Sequence, residues 1–178
     1  AAPNYEAPGD TGGNNVYDIN VIASDGTLTA SKAVAITVTN VNDNAVSTLT
    51  DSNSGTNTVA ESATIGTAVG VTALATDADT GATITYSLSN DAGGKFAIDS
   101  ATGVVTVASA LDYESATSHT ITVLATSSDG STNSGTYTIA VTNVNEAPTI
   151  TSGATASFAE NATGTVYTAT ATDIDAGT

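Results

Sequence analysis

Residues 141–148 read Val-Thr-Asn-Val-Asn-Glu-Ala-Pro, and residues 38–44 read Val-Thr-Asn-Val-Asn-Asp-Asn. Each copy follows the alternation of apolar and polar residues that is typical of a β-strand, and a new run of Ser, Thr and Gly follows each copy. Both segments concentrate amide and carboxylate oxygens where no core can form. Because almost no basic residue lies nearby, these oxygens suit a hard cation, calcium above all. We therefore expect two calcium-binding linkers between stacked β-domains.

The composition favours strands and excludes several classes of function. The chain has 178 residues, 40% of them hydrophobic but only 4% aromatic, so its core must consist of Val, Ile, Ala and Thr. No stretch shows a sustained helical period, which predicts an all-β protein. Two basic residues, Lys32 and Lys95, face eighteen acids. No basic patch for nucleic acid can form, and no apolar run reaches the roughly 20 residues of a membrane span.

The formal charge of −16 has two interpretations. The charge belongs to the solvated surface of an extracellular or halotolerant protein, or bound cations are needed to offset the repulsion between the acids. The chain has no cysteine, so it has no thiolate metal site and no disulfide. A secreted protein without disulfides needs another cross-link, and a metal ion is the obvious one. Because the acidic clusters repeat in register along the chain, we favour bound cations.

The sequence repeats with a period near 100 residues. The linker segment recurs 103 residues later, from Asn40 to Asn143. Three further motifs recur in the same order: residues 75–79 as 171–175, residues 60–63 as 159–162, and residues 4–6 as 112–114. A period of this size is that of an immunoglobulin-like sandwich.

The phase of the repeat predicts the domain organisation. Residues 1–46 correspond to the C-terminal part of one repeat, residues 47–148 to a complete repeat, and residues 149–178 to the N-terminal part of a third. The partial repeats would leave open sheet edges and an uncovered apolar face. Either neighbouring subunits complete them by strand exchange, or the chain is a window on a longer array.

Paired aspartates end two of the predicted strands. Asp77 and Asp79 are separated by one residue, as are Asp173 and Asp175. On a strand, side chains two residues apart point to the same face. We expect each pair to bracket one ion.

The motifs, in their order, resemble cadherin repeats, in particular the cadherin-like tandem repeats of bacterial surface and secreted proteins. The resemblance covers essentially the whole chain. It rests on an early glutamate (Glu61, Glu160), a DxD motif (residues 77–79, 173–175), a run that ends in LDxE (residues 96–99, 102–103, 111–114) and a DxNDN-like linker (residues 40–44, 143–147).

The resemblance implies a seven-stranded Greek-key sandwich in each repeat, with up to three calcium ions in each junction. For the first junction it assigns Asn4, Glu6, Asn40, Asn42, Asp43, Asp77 and Asp79. For the second it assigns Glu61, Asp112, Glu114, Asn143, Asn145, Glu146, Asp173 and Asp175, with a main-chain oxygen near Ala147.

Two departures from the family pattern affect these sites. Asn40 and Asn143 replace the first aspartate of the linker motif, and each loses a negative charge, which lowers calcium affinity. The late aspartate of the family is present as Asp25. In the complete repeat, Ser127 occupies that place and Asp129 follows two residues later.

Enzyme activity is not expected. Carboxylate pairs are typical of glycosidases, but the chain has no Trp to hold a sugar ring. A Ser-His-Asp site would need His119, which occupies a predicted strand at the place of Tyr17 in the other unit. Asn161 begins a glycosylation sequon that overlaps the early-glutamate motif, and we favour its structural role.

The favoured function is a calcium-rigidified structural repeat of a bacterial extracellular filament or large surface protein. Its partners would be identical subunits or further repeats of the same chain. An alternative is a calcium-dependent adhesin or carbohydrate-binding module that contacts glycans or cell-surface proteins. A third is an accessory repeat of a secreted polysaccharide-degrading enzyme.

Overall fold

The computed structural model describes residues 2–175, which form strands and loops without an α-helix. The all-β prediction is therefore confirmed. The strands, in chain order, are β1 (Val16–Ser24), β2 (Thr29–Thr37), β3 (Thr50–Asp51), β4 (Thr58–Ala60), β5 (Ala68–Leu74), β6 (Ile84–Asn90), β7 (Phe96–Ile98), β8 (Val104–Val107), β9 (Ser118–Ser127), β10 (Thr132–Thr142), β11 (Thr149–Ile150) and β12 (Ala171–Thr172).

Strands β3 to β10 form a sandwich of two four-stranded sheets, which is one strand more than the seven that the resemblance implies. One sheet has the order β4-β10-β9-β6 and the other β3-β5-β8-β7. Strand β10 pairs antiparallel with β9 but parallel with β4, with Ala60 opposite Thr142. The early strand β4 and the last strand β10 therefore run side by side and leave the sandwich at the same end.

The core lies between the two sheets. On β9, Ile121, Val123 and Ala125 are each 0% exposed, and Thr122 and Leu124 between them are half-buried on the opposite face. Val71 on β5 and Val105 on β8 face them from the other sheet and are also fully buried. Burial of each such Val or Ile side chain contributes about 1.5–3 kcal/mol. The period-two pattern of the sequence thus reports the inner faces correctly.

A bulge interrupts the pairing of β5 with β8 between Ala68 and Thr72. Gly70 lies inside it with φ 86°, and a Cβ there would be 2.3 Å from the backbone oxygen of Thr56. Only glycine fits this close approach.

A hairpin, β1–β2, and a short strand pair, β11–β12, flank the sandwich. Strands β1 and β2 pair over nine residues, with Tyr17 opposite Ile36. Strands β9 and β10 of the sandwich pair in the same register, with His119 opposite Ile139. The same register makes Ile19 equivalent to Ile121. Ile19 is nevertheless 43% exposed, because no second sheet covers the hairpin within the described residues. The short pair β11–β12 likewise leaves Ile150 72% exposed.

His119 is a half-buried strand residue. Its ring meets the Phe96 ring edge to face, with the centroids 5.7 Å apart. Desolvation, and then the charge of Lys95, lowers the pKa of the imidazole below its ordinary value.

Candidate metal centres

Apart from Asp51 on β3, the acids of the sandwich lie in its loops. Strands β4 to β10 contain no Asp, Glu, Lys or Arg. Since the strand faces carry no charge, the negative charge of this part of the chain is concentrated where the connecting segments meet.

Glu61 connects three segments at one end of the sandwich. The parallel pairing of β4 with β10 brings Glu61 beside the second linker, and its N–H donates to the carbonyl of Thr142 at 3.1 Å. The side chain is 8% exposed. Its Oε2 accepts the N–H of Tyr113 and its Oε1 accepts the N–H of Val144, both at 2.7 Å. One buried carboxylate therefore holds the 112–114 motif against the linker.

A first carboxylate cluster surrounds this point. Oxygens of Glu61, Asp112 and Glu114 lie within 4.8 Å of one another. Asp112 accepts the hydroxyl of Ser115 at 2.7 Å and its N–H at 2.9 Å, which lowers the pKa of the carboxyl and keeps it ionised. The Asn143 amide reaches Glu114 at 3.4 Å. The cluster thus carries negative charge and includes one predicted amide at its edge.

A second cluster joins the linker to the following segment. It consists of Glu114, Glu146 and Asp175, and it shares Glu114 with the first cluster. The N–H of Glu146 donates to Asp175 Oδ2 at 2.7 Å. Desolvation raises the pKa of Glu146, and the charges of Glu61, Asp175 and Glu114 raise it further. Glu146 Oε2 is buried without a hydrogen-bond partner.

The first linker has a corresponding cluster of Glu6, Asp43 and Asp79. Asp79 is 6% exposed and accepts the N–H and the side-chain amide of Asn44, both at 3.0 Å. Glu6 Oε1 is buried and has no hydrogen-bond partner.

The fourth cluster contains Asp77, Asp79 and Asp129. One terminal atom of the Asn42 amide lies 2.9 Å from Oδ2 of both Asp79 and Asp129. Asp77 Oδ2 is buried without a partner. Asp79 belongs to this cluster and to the preceding one, so each junction contains two carboxylate clusters that share one acid.

The expectation that Asp77 and Asp79 extend in one direction from a strand is wrong. Strand β5 ends at Leu74, and the N–H of Asp79 donates to Asp77 Oδ1 at 3.0 Å, which makes a turn. Asp175 bonds to Asp173 in the same way at 3.0 Å. The aspartates turn because the carboxylate of the first competes for the backbone of the third.

The clusters do not include every predicted ligand. Among the described residues, Asp173 is the predicted acid that lies in no cluster. The Asn145 amide donates to the Glu146 carbonyl at 2.9 Å, and Asn40 is exposed. Asn4 accepts the N–H of Glu6 at 2.9 Å and so shapes the turn that carries Glu6.

Asp129 is the residue that sequence reasoning did not assign. The family pattern points to position 127, which is a serine here. The available signal was an acid two residues beyond that position, in an Asp-Gly turn.

The donor sets fit a hard divalent cation. All the side-chain donors are oxygens, and carboxylates dominate, as calcium requires. Three clusters each contain a carboxylate oxygen that is buried and without a partner, on Glu6, Asp77 and Glu146. Such an oxygen is costly to bury unless a cation or donor meets it.

The comparisons with known proteins agree on one family. The cadherin domain family matches residues 55–144. A comparison with curated proteins gives no significant match. Among the described residues, no helix is long and apolar enough to cross a membrane.

The similar solved structures are cadherin ectodomains. Mouse cadherin-23 EC22-24 is 31% identical with a TM-score of 0.68, over 99% of this chain and 57% of that chain. Mouse clustered PcdhgC3 EC1-3 is 30% identical with a TM-score of 0.67, over 80% and 46% of the two chains. Protocadherin gammaB7 EC3-6, solved as a cis-dimer, is 28% identical with a TM-score of 0.67, over 92% and 41%. This chain thus spans about half the length of these structures.

Proposed function

The chain belongs to the cadherin domain family, whose members are extracellular, calcium-binding modules of adhesion and structure rather than enzymes, and we propose that it is a structural segment of a bacterial extracellular filament or large surface protein. Calcium at the two linkers would hold successive repeats in a fixed orientation. The observation that carries this proposal is the repeated pairing of shared carboxylate clusters, one pair at each linker.

The proposed organisation is one complete repeat, residues 47–148, between parts of two others, residues 1–46 and 149–178. The sandwich of β3 to β10 supports this division, because it lies between the two linkers. The hairpin β1–β2 repeats the register of β9–β10, and residues 159–162 and 171–175 repeat motifs of the sandwich.

The electrostatics of the clusters favour an ion. Two carboxylate charges about 4 Å apart repel each other by about 4 kcal/mol at an effective dielectric constant of about 20. Each cluster holds three acids within 4.8 Å of one another, and only two basic residues exist in the chain. A divalent cation is therefore the group that stabilises both the close approach and the junction.

The residues proposed to hold calcium come from three segments at each linker. At the first linker they are Glu6, Asn42, Asp43, Asp77 and Asp79, with Asn40 at its edge. At the second linker they are Glu61, Asp112, Glu114, Glu146 and Asp175, with Asn143, Asn145 and Asp173 at its edge. When bound, the ion would neutralise the clustered charge.

Thermal melting with calcium and with a chelator tests the proposal. A single site at a hundredfold excess of calcium over its Kd stabilises the folded state by about 2.7 kcal/mol. We expect a higher melting temperature in calcium. We also expect small-angle X-ray scattering to report a longer and narrower particle in calcium than in chelator. Magnesium is the matched control, since it demands a near-octahedral set of six ligands. Identical melting and scattering in calcium and in chelator would overturn the proposal.

Strand complementation between copies is the proposed mode of assembly. Phe158 is equivalent to Val59 on β4, yet Phe158 is 43% exposed and Val59 is 6% exposed. In the sandwich, β4 pairs with β10, whose equivalent is the exposed hairpin strand β2. A second copy that brings these two segments together would reproduce the pairing and cover both apolar faces. Electron microscopy at saturating calcium should show filaments, and discrete monomers would contradict this mode.

The alternative function is a calcium-dependent adhesin. It is favoured by the protocadherin gammaB7 structure, a relative that was solved as a cis-dimer. Adhesion to another surface predicts calcium-dependent aggregation of coated beads, and a carbohydrate-binding role predicts signal on a glycan array. The structural role predicts neither.

A further inference from the structure

We propose that the late acidic ligand of the complete repeat has moved two residues along the chain, so that Asp129 and the hydroxyl of Ser127 complete the metal site of Asp77 and Asp79. This inference rests on the proposed function, since it assigns residues to one of its calcium sites. It departs from the family pattern, in which a single late aspartate at position 127 would act.

The turn after β9 explains how Asp129 reaches the site. The strand ends at Ser127, whose carbonyl accepts the N–H of Gly130 at 2.9 Å. Asp129 Oδ1 accepts the N–H of Ser131 at 2.6 Å. The chain therefore folds back at once, and it brings a carboxylate oxygen of Asp129 within 4.8 Å of those of Asp77 and Asp79.

Ser127 supplies an independent indication of a ligand. The residue is 3% exposed, and its hydroxyl oxygen has no hydrogen-bond partner of ordinary geometry. The hydroxyl lies beside the Asp129 carboxylate. A buried hydroxyl without a partner costs about 1–3 kcal/mol. A cation in the cluster would give this hydroxyl the partner that it lacks.

Asn42 brings the linker to the same point. Its amide lies 2.9 Å from Oδ2 of Asp79 and of Asp129. With its nitrogen toward them, the amide donates to both carboxylates and holds the cluster together. Turned about, it presents an oxygen to a cation. Three carboxylates, one amide and one hydroxyl then offer between five and eight oxygens, which spans the six to eight that calcium takes.

The flanking hairpin carries an aspartate, Asp25, at the position equivalent to Ser127. Asp25 lies two residues after Ala23, just as Ser127 lies two residues after Ala125. The Asp25 carboxylate accepts the N–H groups of Thr27 and Leu28, at 2.9 and 2.7 Å, and closes its own turn. In the complete repeat the acid has moved onto the turn, and a hydroxyl has taken its place at the strand end.

Calorimetric calcium titration of the full chain tests this assignment. We expect Asp129→Asn to lose one calcium or to weaken one site by roughly tenfold or more, because a carboxylate ligand loses its charge. Ser127→Ala should weaken the same site by a smaller factor. Asp99→Asn is the matched control, since it removes an acid that lies outside the four clusters and closes only its own turn.

Melting in chelator shows whether each variant folds. If Asp129→Asn does not fold, Ser127→Ala still tests the assignment of the site. Wild-type stoichiometry and affinity in Asp129→Asn would overturn the assignment of Asp129. Wild-type affinity in Ser127→Ala would overturn the assignment of the hydroxyl. In both cases the proposed function stands as long as the wild-type chain binds calcium. Absence of calcium binding by the wild-type chain would instead overturn the proposed function.

Discussion

Asp79 and Asp175 lie 96 residues apart in the sequence, and each presents a carboxylate oxygen to a backbone N–H of a linker. Asp79 Oδ2 accepts the N–H of Asn44 at 3.0 Å, and Asp175 Oδ2 accepts the N–H of Glu146 at 2.7 Å. Both aspartates are nearly buried, at 6% and 7% exposure. Glu146 is equivalent to Asp43, whose N–H lies 3.5 Å from Asp79 Oδ1, so the shorter contacts of the two linkers are offset by one residue. Each aspartate thus joins the following segment to the backbone of a linker.

Glu61 should matter for stability even without calcium. Its two carboxylate oxygens accept the N–H groups of Tyr113 and Val144. Glu61→Gln replaces one acceptor with a donor that faces a backbone N–H, and we expect a loss of about 1–3 kcal/mol in unfolding free energy in chelator. Urea denaturation measures this. Glu160→Gln is the control, because Glu160 occupies the same motif but is exposed, and its effect should stay within about 0.5 kcal/mol. Equal effects of the two changes would contradict the prediction.

Glu146 should change its contribution to stability when calcium binds. Desolvation and the charges of Glu61, Asp175 and Glu114 raise its pKa in the folded state. A raised folded pKa means that the ionised form destabilises the metal-free fold at neutral pH, and that this cost vanishes as the pH falls through the folded pKa. At pH 7, Glu146→Gln should therefore raise the melting temperature in chelator and lower it in calcium.

Calorimetry in both buffers checks the opposite signs. The metal-free wild type and Glu146→Gln should converge below the ordinary carboxyl pKa, where Glu146 is protonated in both the folded and the unfolded state. Glu160→Gln removes the same charge from an exposed position, and its effect on the melting temperature should not change sign between the two buffers. A higher melting temperature of Glu146→Gln in calcium would show that Glu146 is not a ligand, and a lower one in chelator would contradict the predicted repulsion.

The two equivalent hairpins allow a matched test of burial. Ile121→Ala removes side-chain volume from a position that is 0% exposed and should cost about 2–5 kcal/mol. Ile19→Ala makes the same change at the equivalent position, which is 43% exposed, and should cost far less. Denaturation of the sandwich, followed by circular dichroism, measures both. Similar losses would mean that another part of the assembly covers Ile19.

Gly103 and Gly93 separate backbone conformation from steric contact. Both have φ 72°, but a Cβ at Gly103 would lie 2.2 Å from the carbonyl oxygen of Ala73, whereas Gly93 faces open space. Gly93→Ala should cost about 1–2 kcal/mol from the left-handed conformation alone. Gly103→Ala adds a backbone clash and should cost about 2–5 kcal/mol in total. Thermal unfolding measures both variants. Equal losses of unfolding free energy would contradict the prediction.

Sequence reasoning reached most of the strands and most of the acidic clusters. The alternation through Ile121, Val123 and Ala125 placed the inner face of β9, since the period of a strand is two and one face is buried. Motif order placed Glu61 and Glu146 at one junction. It did not assign Asp129, because the position that the pattern specifies is occupied by Ser127.

The sequence by itself determined which segments are strands, where the acids concentrate and at what spacing the motifs recur, because each of these is a local property of alternation, composition or spacing. The tertiary structure decided which acids meet. Glu61 reaches the second linker only because β4 pairs in parallel with β10, a contact between residues about 80 positions apart. Such pairing depends on how two sheets pack around a shared core, and no local pattern encodes the distance between two oxygens brought together in that way.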